Sequence, residues 1–199
     1  MASKKKKAKP KQLKKAITLL KHRKVDVEQI LLARRQLYLF EVVTEKIAKE
    51  LVKNIMALDR ISNEPIVLYI NSPGGSIADG FAIIDCMQSV KSPIITMILG
   101  EACSMAGVIS VAGDRRVMSK NSVWMAHDGS ARPGGKFTDV IHYGEYIKSL
   151  QTKMFTFLRQ YTKLSEEDLD KAKRGQLWLW QKECAEKGII DIAIVGEKK

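Results

Sequence analysis

Three short segments of this 199-residue sequence carry residue types that can do chemistry together. The first is N-S-P-G-G-S (71–76), where adjacent glycines let the backbone approach a ligand closely and leave N–H groups free to point at it. That chemistry suits an oxyanion hole, whose donors must sit near 3 Å from a developing negative charge. A plain strand-to-helix turn is the alternative use of such residues. The second is G-E-A-C-S-M-A-G (100–107), with Ser104 among small neighbours that leave room for a substrate. A hydroxyl there lies near the positive end of a helix dipole, and the following N–H, from Met105, can join the oxyanion donors. The segment does not fit GxSxG, and a serine at a helix start is also an ordinary cap. Cys103 beside it is expected to be a small buried hydrophobe. The third is W-M-A-H-D (124–128), where His127 ends an apolar stretch just before a loop. A serine nucleophile needs a base within hydrogen-bonding reach, which gives this histidine a use beyond a structural one. His142 falls within a long helical pattern and is expected to be a surface residue.

The elements that must position these residues follow from apolar periodicity. QLYLF (36–40) predicts a strand. The next stretch predicts a helix capped by Thr44, with Ile47, Leu51, Ile55 and Leu58 on one face. PIVLYIN (65–71) is a buried-strand run, and residues 76–90 form a helix capped by Ser76, with Ile77, Phe81, Ile84 and Met87 together. PIITMILG (93–100) predicts a strand and residues 101–113 a buried helix. Short strands follow at RRVM and SVWMAH, then a loop at 128–136 rich in turn residues. A long helix is expected from about Thr138 to Tyr161, with Ile147, Leu150, Met154 and Leu158 repeating every three to four residues. Its length and one-sidedness call for a packing partner, such as a neighbouring subunit. Ser165 and Asp168 mark a further helix start, and the chain closes with LWLW, a helix to Gly188 and a final strand. Strand–helix–strand at this spacing argues for parallel pairing and an α/β fold. All three chemical segments then fall at strand ends, where ligands of such sheets bind.

Composition sets the boundaries. The chain is 45% hydrophobic and 28% charged, long enough for one domain with a sizeable core. It holds no run of 18 apolar residues, and its basic start lacks the apolar block of a secretion signal. Cys86, Cys103 and Cys184 are widely spaced, so neither a disulfide framework nor a zinc site is implied and a reducing cytoplasm is expected. The net charge of +12 is concentrated at one end: residues 1–25 carry 11 Lys or Arg and no acid, leaving 23 basic against 22 acidic residues elsewhere. Two segments follow, a basic arm over 1–25 and a folded domain over 26–199. The arm is either a solvated tail or a contact for an acidic partner, nucleic acid or anionic membrane; the latter would be salt-sensitive.

LYINSPGGS, GEACSMAG and VWMAHD together resemble the glycine, nucleophile and histidine motifs of the Clp protease proteolytic subunit (ClpP) family. Their order matches, and the spacing nearly does, the serine-to-histidine stretch being shorter by about two residues. GKFTDVIHYGEYIK resembles the start of that family's handle helix, and ECAEKGIIDIAI its C-terminal end. The resemblance spans about residues 34–195 and leaves the first 25 without a counterpart. It implies a ClpP/crotonase-like fold of repeated β-β-α units with a long handle helix. It also implies a serine endopeptidase working inside stacked rings of its own copies, fed with protein or peptide substrates by an ATP-driven AAA+ unfoldase. No cofactor is expected in this chain, because the partner would use the ATP. Carried over residue by residue, Ser104 is the nucleophile, His127 the base, and Met105 with Gly75 (or Gly74) the oxyanion donors. The family's third catalytic residue, an aspartate, falls on Gln176, with Asp168 and Asp170 as alternatives. An amide offers a carbonyl oxygen to the histidine but no charge for the imidazolium. Two other readings remain: a non-catalytic or regulatory ring subunit, and a crotonase-type acyl-CoA enzyme, for which no acyl-CoA signature is found.

Overall fold

A computed structural model describes residues 26–129 and 134–194; the basic arm, residues 1–25, lies outside them. The chain divides between Arg34 and Arg35 into two units. In the first, helix α1 (Val27–Ala33) is started by Asp26, whose carboxylate accepts from the Glu28 and Gln29 N–H groups. The sequence reading did not anticipate this helix.

The second unit is built on a seven-stranded sheet. Strand β1 (Gln36–Leu39) leads through α2 (Glu45–Ile61) to β2 (Ile66–Ser72), and α3 (Ile77–Ser89) leads to β3 (Ile94–Cys103). After α4 (Met105–Val111) come β4 (Arg115–Ser119) and β5 (Val123–His127), then α5 (Phe137–Tyr161) and α6 (Glu166–Arg174). Strand β6 (Gln176–Trp180), α7 (Gln181–Glu186) and β7 (Ile192–Ile194) finish the described chain. The main path β1-β2-β3-β4-β7 is parallel throughout. This matches the α/β class and the crossover helices expected from the pattern. Thr44 and Ser76 cap α2 and α3 as predicted, and Ser165 with Asp168 forms a full capping box on α6.

Two differences from the sequence reading bear on the chemistry. The strand ending in Gly100 continues to Cys103, and the following helix covers only residues 105–111 instead of 101–113. Glu101–Cys103 are drawn into the sheet because they pair with Val123–Met125 of β5. β4 and β5 thus lie one after the other along the same side of β3, β4 against residues 95–98 and β5 against residues 101–103. The second difference is β6, which runs antiparallel to β5 and pairs with no other strand.

The core lies between the sheet and its helices. Ala48, Leu51, Ile55 and Leu58 of α2 are buried at spacings of three and four, and every residue of α4 is buried. Trp124 is fully buried and donates its indole N–H to the Gly107 carbonyl at 3.1 Å, clamping β5 to α4. Helix α5 is different. Only Met154, Phe155 and Leu158 near its end are buried, while Phe137, Ile141, Tyr143 and Tyr146 are exposed. At 1.5 Å per residue its 25 residues extend about 37 Å.

Candidate active site

Ser104 sits at the junction of β3 and α4 with φ 54° and ψ −125°. A non-glycine residue there costs about 1–3 kcal/mol and persists only where its surroundings hold it. Both sides do so: the Ser104 N–H donates to the Met125 carbonyl at 2.8 Å, and its own carbonyl accepts from Val108 N–H at 3.2 Å. The result is a sharp strand-to-helix turn that projects the side chain clear of both elements. Ser104 occupies the N-cap position of α4, yet its hydroxyl makes no capping hydrogen bond. Ser104 is half-buried and lines the adjoining cavity. Cys103 is buried, and its thiol is pushed up to about 12 by that burial and by the neighbouring Glu101 carboxylate, so it is not a thiolate at neutral pH.

The glycine segment lies directly against this turn. Gly74, at φ 92°, approaches so closely that a Cβ on it would stand 2.5 Å from the Cys103 carbonyl oxygen. Its N–H is already bonded to Ser72 Oγ at 3.1 Å, and Ser72 in turn donates to the Glu41 carbonyl at 2.6 Å. Gly75 forms a parallel bridge with Val43: Val43 N–H donates to the Gly74 carbonyl, and Ser76 N–H donates to the Val43 carbonyl. In that pattern the N–H of Gly75 itself points the other way. Among the described residues neither the Gly75 N–H nor the Met105 N–H meets an acceptor. Of the two glycines, only Gly75 thus has its N–H free, and it lines the same cavity as Ser104.

His127 ends β5, half-buried, on the same cavity as Ser104, with no hydrogen bond between the two side chains. Directly across the antiparallel pair stands Gln176. Cross-strand partners of this kind have Cβ atoms about 4.5–5.5 Å apart on one face of the sheet. Gln176 accepts from the Trp178 indole N–H at 2.9 Å through Oε1. The two alternative carboxylates are engaged elsewhere. Asp168 accepts from Ser165 in the capping box and pairs with Lys187 at 2.7 Å, while Asp170 pairs with Lys173 at 3.3 Å. Neither bonds to His127.

The cavity holds about 650 Å³. One side is the Gly74–Ser76 segment with Ser104 and His127, and the facing wall is supplied by α5 through Tyr143, Tyr146, Ile147, Leu150 and Met154. The sequence reading placed Ile147, Leu150 and Met154 on one helical face but did not foresee that they, with the two tyrosines, wall the site. The signal was present: a helix with an apolar stripe whose first three turns carry Phe137, Tyr143 and Tyr146. His142 is exposed, as expected of a surface residue.

Comparison with known proteins gives a consistent result. The family model described as Clp protease matches residues 20–197. The chain is 34% identical over 171 residues to ATP-dependent Clp protease proteolytic subunit 1 of Chlamydia muridarum, covering 83% of this chain and 88% of that protein. To the ATP-dependent Clp protease proteolytic subunit of Lactococcus lactis it is 31% identical over 174 residues, covering 85% and 87%. The Streptococcus sanguinis protein of the same name is 30% identical, with 85% and 89% covered.

Proposed function

The chain belongs to the Clp protease family, and on that premise we propose that it is a serine endopeptidase in which Ser104 and His127 cut peptide bonds. The observation that carries this reading is the Ser104 turn. It holds a hydroxyl free of capping duty on one cavity with His127 and Gly75, and next to it stands the Met105 N–H, which, like that of Gly75, meets no acceptor among the described residues. Ser104 Oγ attacks the scissile carbonyl carbon as its proton passes to His127. Gly75 and Met105 N–H groups receive the oxygen as it gains charge, a contribution of about 3–4 kcal/mol per donor in comparable sites. His127 then gives the proton to the leaving amine, and water releases the acyl group by the reverse relay.

The apolar wall from α5 suits a substrate with an apolar or aromatic side chain before the cut bond. The assembly we infer is stacked rings of this same chain fed by an ATP-driven unfoldase; the relatives' names, which read ATP-dependent and proteolytic subunit, support its ATPase partner and its being one part of a larger assembly. The first four turns of α5, whose exposed aromatics find no cover in one copy, support it too. The reaction draws on no cofactor of this chain, and the ATP belongs to the partner.

A second reading, a weakly active or non-catalytic ring subunit, is favoured by Gln176 standing opposite His127 with its oxygen on Trp178. Treatment with a fluorophosphonate, followed by intact mass, separates the two. Labelling of the wild type but not of Ser104→Ala supports the peptidase. An assembled protein that never labels sinks it in favour of the second reading.

A further inference from the structure

Ser72, the last residue of β2, is fully buried immediately before the Pro73–Gly74–Gly75 stretch that lines the cavity. Its hydroxyl lies between two backbone groups that fix its direction. The Glu41 carbonyl, 2.6 Å away, only accepts, and the Gly74 N–H, 3.1 Å away, only donates. The hydroxyl proton therefore points at Glu41 and a lone pair at Gly74. Strand β2 shifts register against β3 between Ile70 and Ser72, and Ser72 then pairs with Ala102, two residues before Ser104. One hydroxyl thus ties together the end of β2, the 41–43 segment and the glycine turn. Val43, two residues after Glu41, holds the Gly74 carbonyl through its own N–H at 2.8 Å.

We propose that Ser72 is a positioning residue that selects the oxyanion donor: it holds the Gly74 N–H inside the protein and leaves Gly75 to present its N–H to the substrate carbonyl oxygen. The inference rests on the peptidase reading above. Gly74 and Gly75 both have positive φ, and two adjacent glycines leave a turn free to take up several backbone conformations. Each peptide unit of this turn is pinned by one bond. The 73–74 unit is held through its N–H by Ser72, and the 74–75 unit, which carries the Gly75 N–H, through its carbonyl by Val43. The Ser72–Glu41 bond anchors the segment that supplies Val43, so the hydroxyl acts on both units. Ser72 does not itself line the cavity, and its effect reaches the reaction through the glycines.

The test uses the full-length chain and a fluorophosphonate probe: Ser104 Oγ bonds to phosphorus, fluoride leaves, the hydroxyl proton passes to His127, and the phosphoryl oxygen takes the oxyanion position. Ser72→Ala removes the hydroxyl and no other heavy atom. The labelling rate at saturating probe should fall by about tenfold or more, short of the hundredfold or more that follows outright loss of an oxyanion donor. The probe concentration giving half that rate should stay as in the wild type, because the donor acts on the transition state. Thr96→Val is the control. Thr96 is equally buried, donates to the Ser110 carbonyl at 2.6 Å and lies off the cavity. Its loss should lower the melting temperature to a similar extent and leave the labelling rate unchanged. A Ser72→Ala protein that labels at the wild-type rate, or a Thr96→Val protein slowed as much, overturns the inference. Should Ser72→Ala not fold, hydrogen exchange read by NMR on glycine-labelled wild type decides. The Gly74 amide should be protected before and after phosphonylation, and the Gly75 amide only after it. A gain of protection at Gly74, or none at Gly75, overturns the inference. If the wild type does not label at Ser104, the peptidase reading itself has failed and this inference falls with it.

Discussion

A Cβ on Gly74 would stand 2.7 Å from the Cβ of Ser104, so the glycine segment and the serine turn are fitted to one another without room for a methyl group. The same Cβ would press on the Cys103 carbonyl and the Met105 nitrogen, both backbone atoms that cannot swing aside.

Gly74→Ala is therefore expected to separate the Gly75 and Met105 donors. The positive φ adds about 1–3 kcal/mol of strain. Labelling of Ser104 should fall by about a hundredfold or more, with a lower melting temperature. Ser165→Ala, which removes the cap of α6 and does not touch the cavity, should cost about 1 kcal/mol of stability and leave labelling nearly intact. Equal labelling in both variants would count against the oxyanion role of this segment.

Gln176→Asp places a carboxylate directly opposite His127. The loss of charge at this position in other serine proteases costs about 10⁴ in rate. Peptide hydrolysis is expected to rise by a large part of that factor, read as kcat. A variant no faster than wild type would show that the pair gains nothing from a charge at 176.

Leu150 belongs to the α5 wall of the cavity. Truncation to alanine should lower kcat/KM for a peptide with leucine before the cut bond by about tenfold, the scale of a few lost methylene contacts. A peptide with alanine at that position should be nearly unaffected. A parallel loss on both peptides would mean that this wall does not select the side chain.

Asp191 fastens the start of the last strand region to β4. It accepts from the Arg116 backbone N–H at 2.8 Å and from its Nε at 3.1 Å. The Arg116 guanidinium holds the Asp191 carboxyl below the ordinary carboxylate range, against an opposing push from partial burial. A depressed folded value means that the stabilisation is complete above about pH 3.9, the unfolded value, and drains away as pH falls through the folded one. Asp191→Asn should cost about 1 kcal/mol in urea unfolding at pH 7, after allowance for the side chain's exposure. The gap between the two proteins should close near pH 2. A gap of the same size at both pH values would assign it to packing.

The Ser104, His127 and glycine segments were legible as candidates because each sits where an apolar run stops at a turn. Such stops are visible in one dimension. The extension of β3 through Cys103 was not, since E-A-C carries no strand pattern of its own and is held extended by β5, twenty-odd residues later. Gln176 was found through the family resemblance, and only the antiparallel register shows it facing His127. The alternation in QLWLW already grouped Gln176 with Trp178 and Trp180, but which of them the amide oxygen would meet is a tertiary fact. Helix α1 had its signal in Asp26, a capping residue ahead of V-E-Q-I-L-L-A.

The join between β3 and β5 is three residue pairs long, Glu101 with Val123, Ala102 with Trp124 and Cys103 with Met125. Ser104 belongs to one side of that join, and His127, with Gln176 behind it, to the other. Strand register admits only whole-residue steps, and a single step turns a side chain to the opposite face of the sheet. The spacing of Ser104 and His127 is thus quantised. Strain on the β5–β6 pair leaves it in place until the register jumps, so loss of the site through this join is a switch between two discrete arrangements, with no graded series of half-working ones.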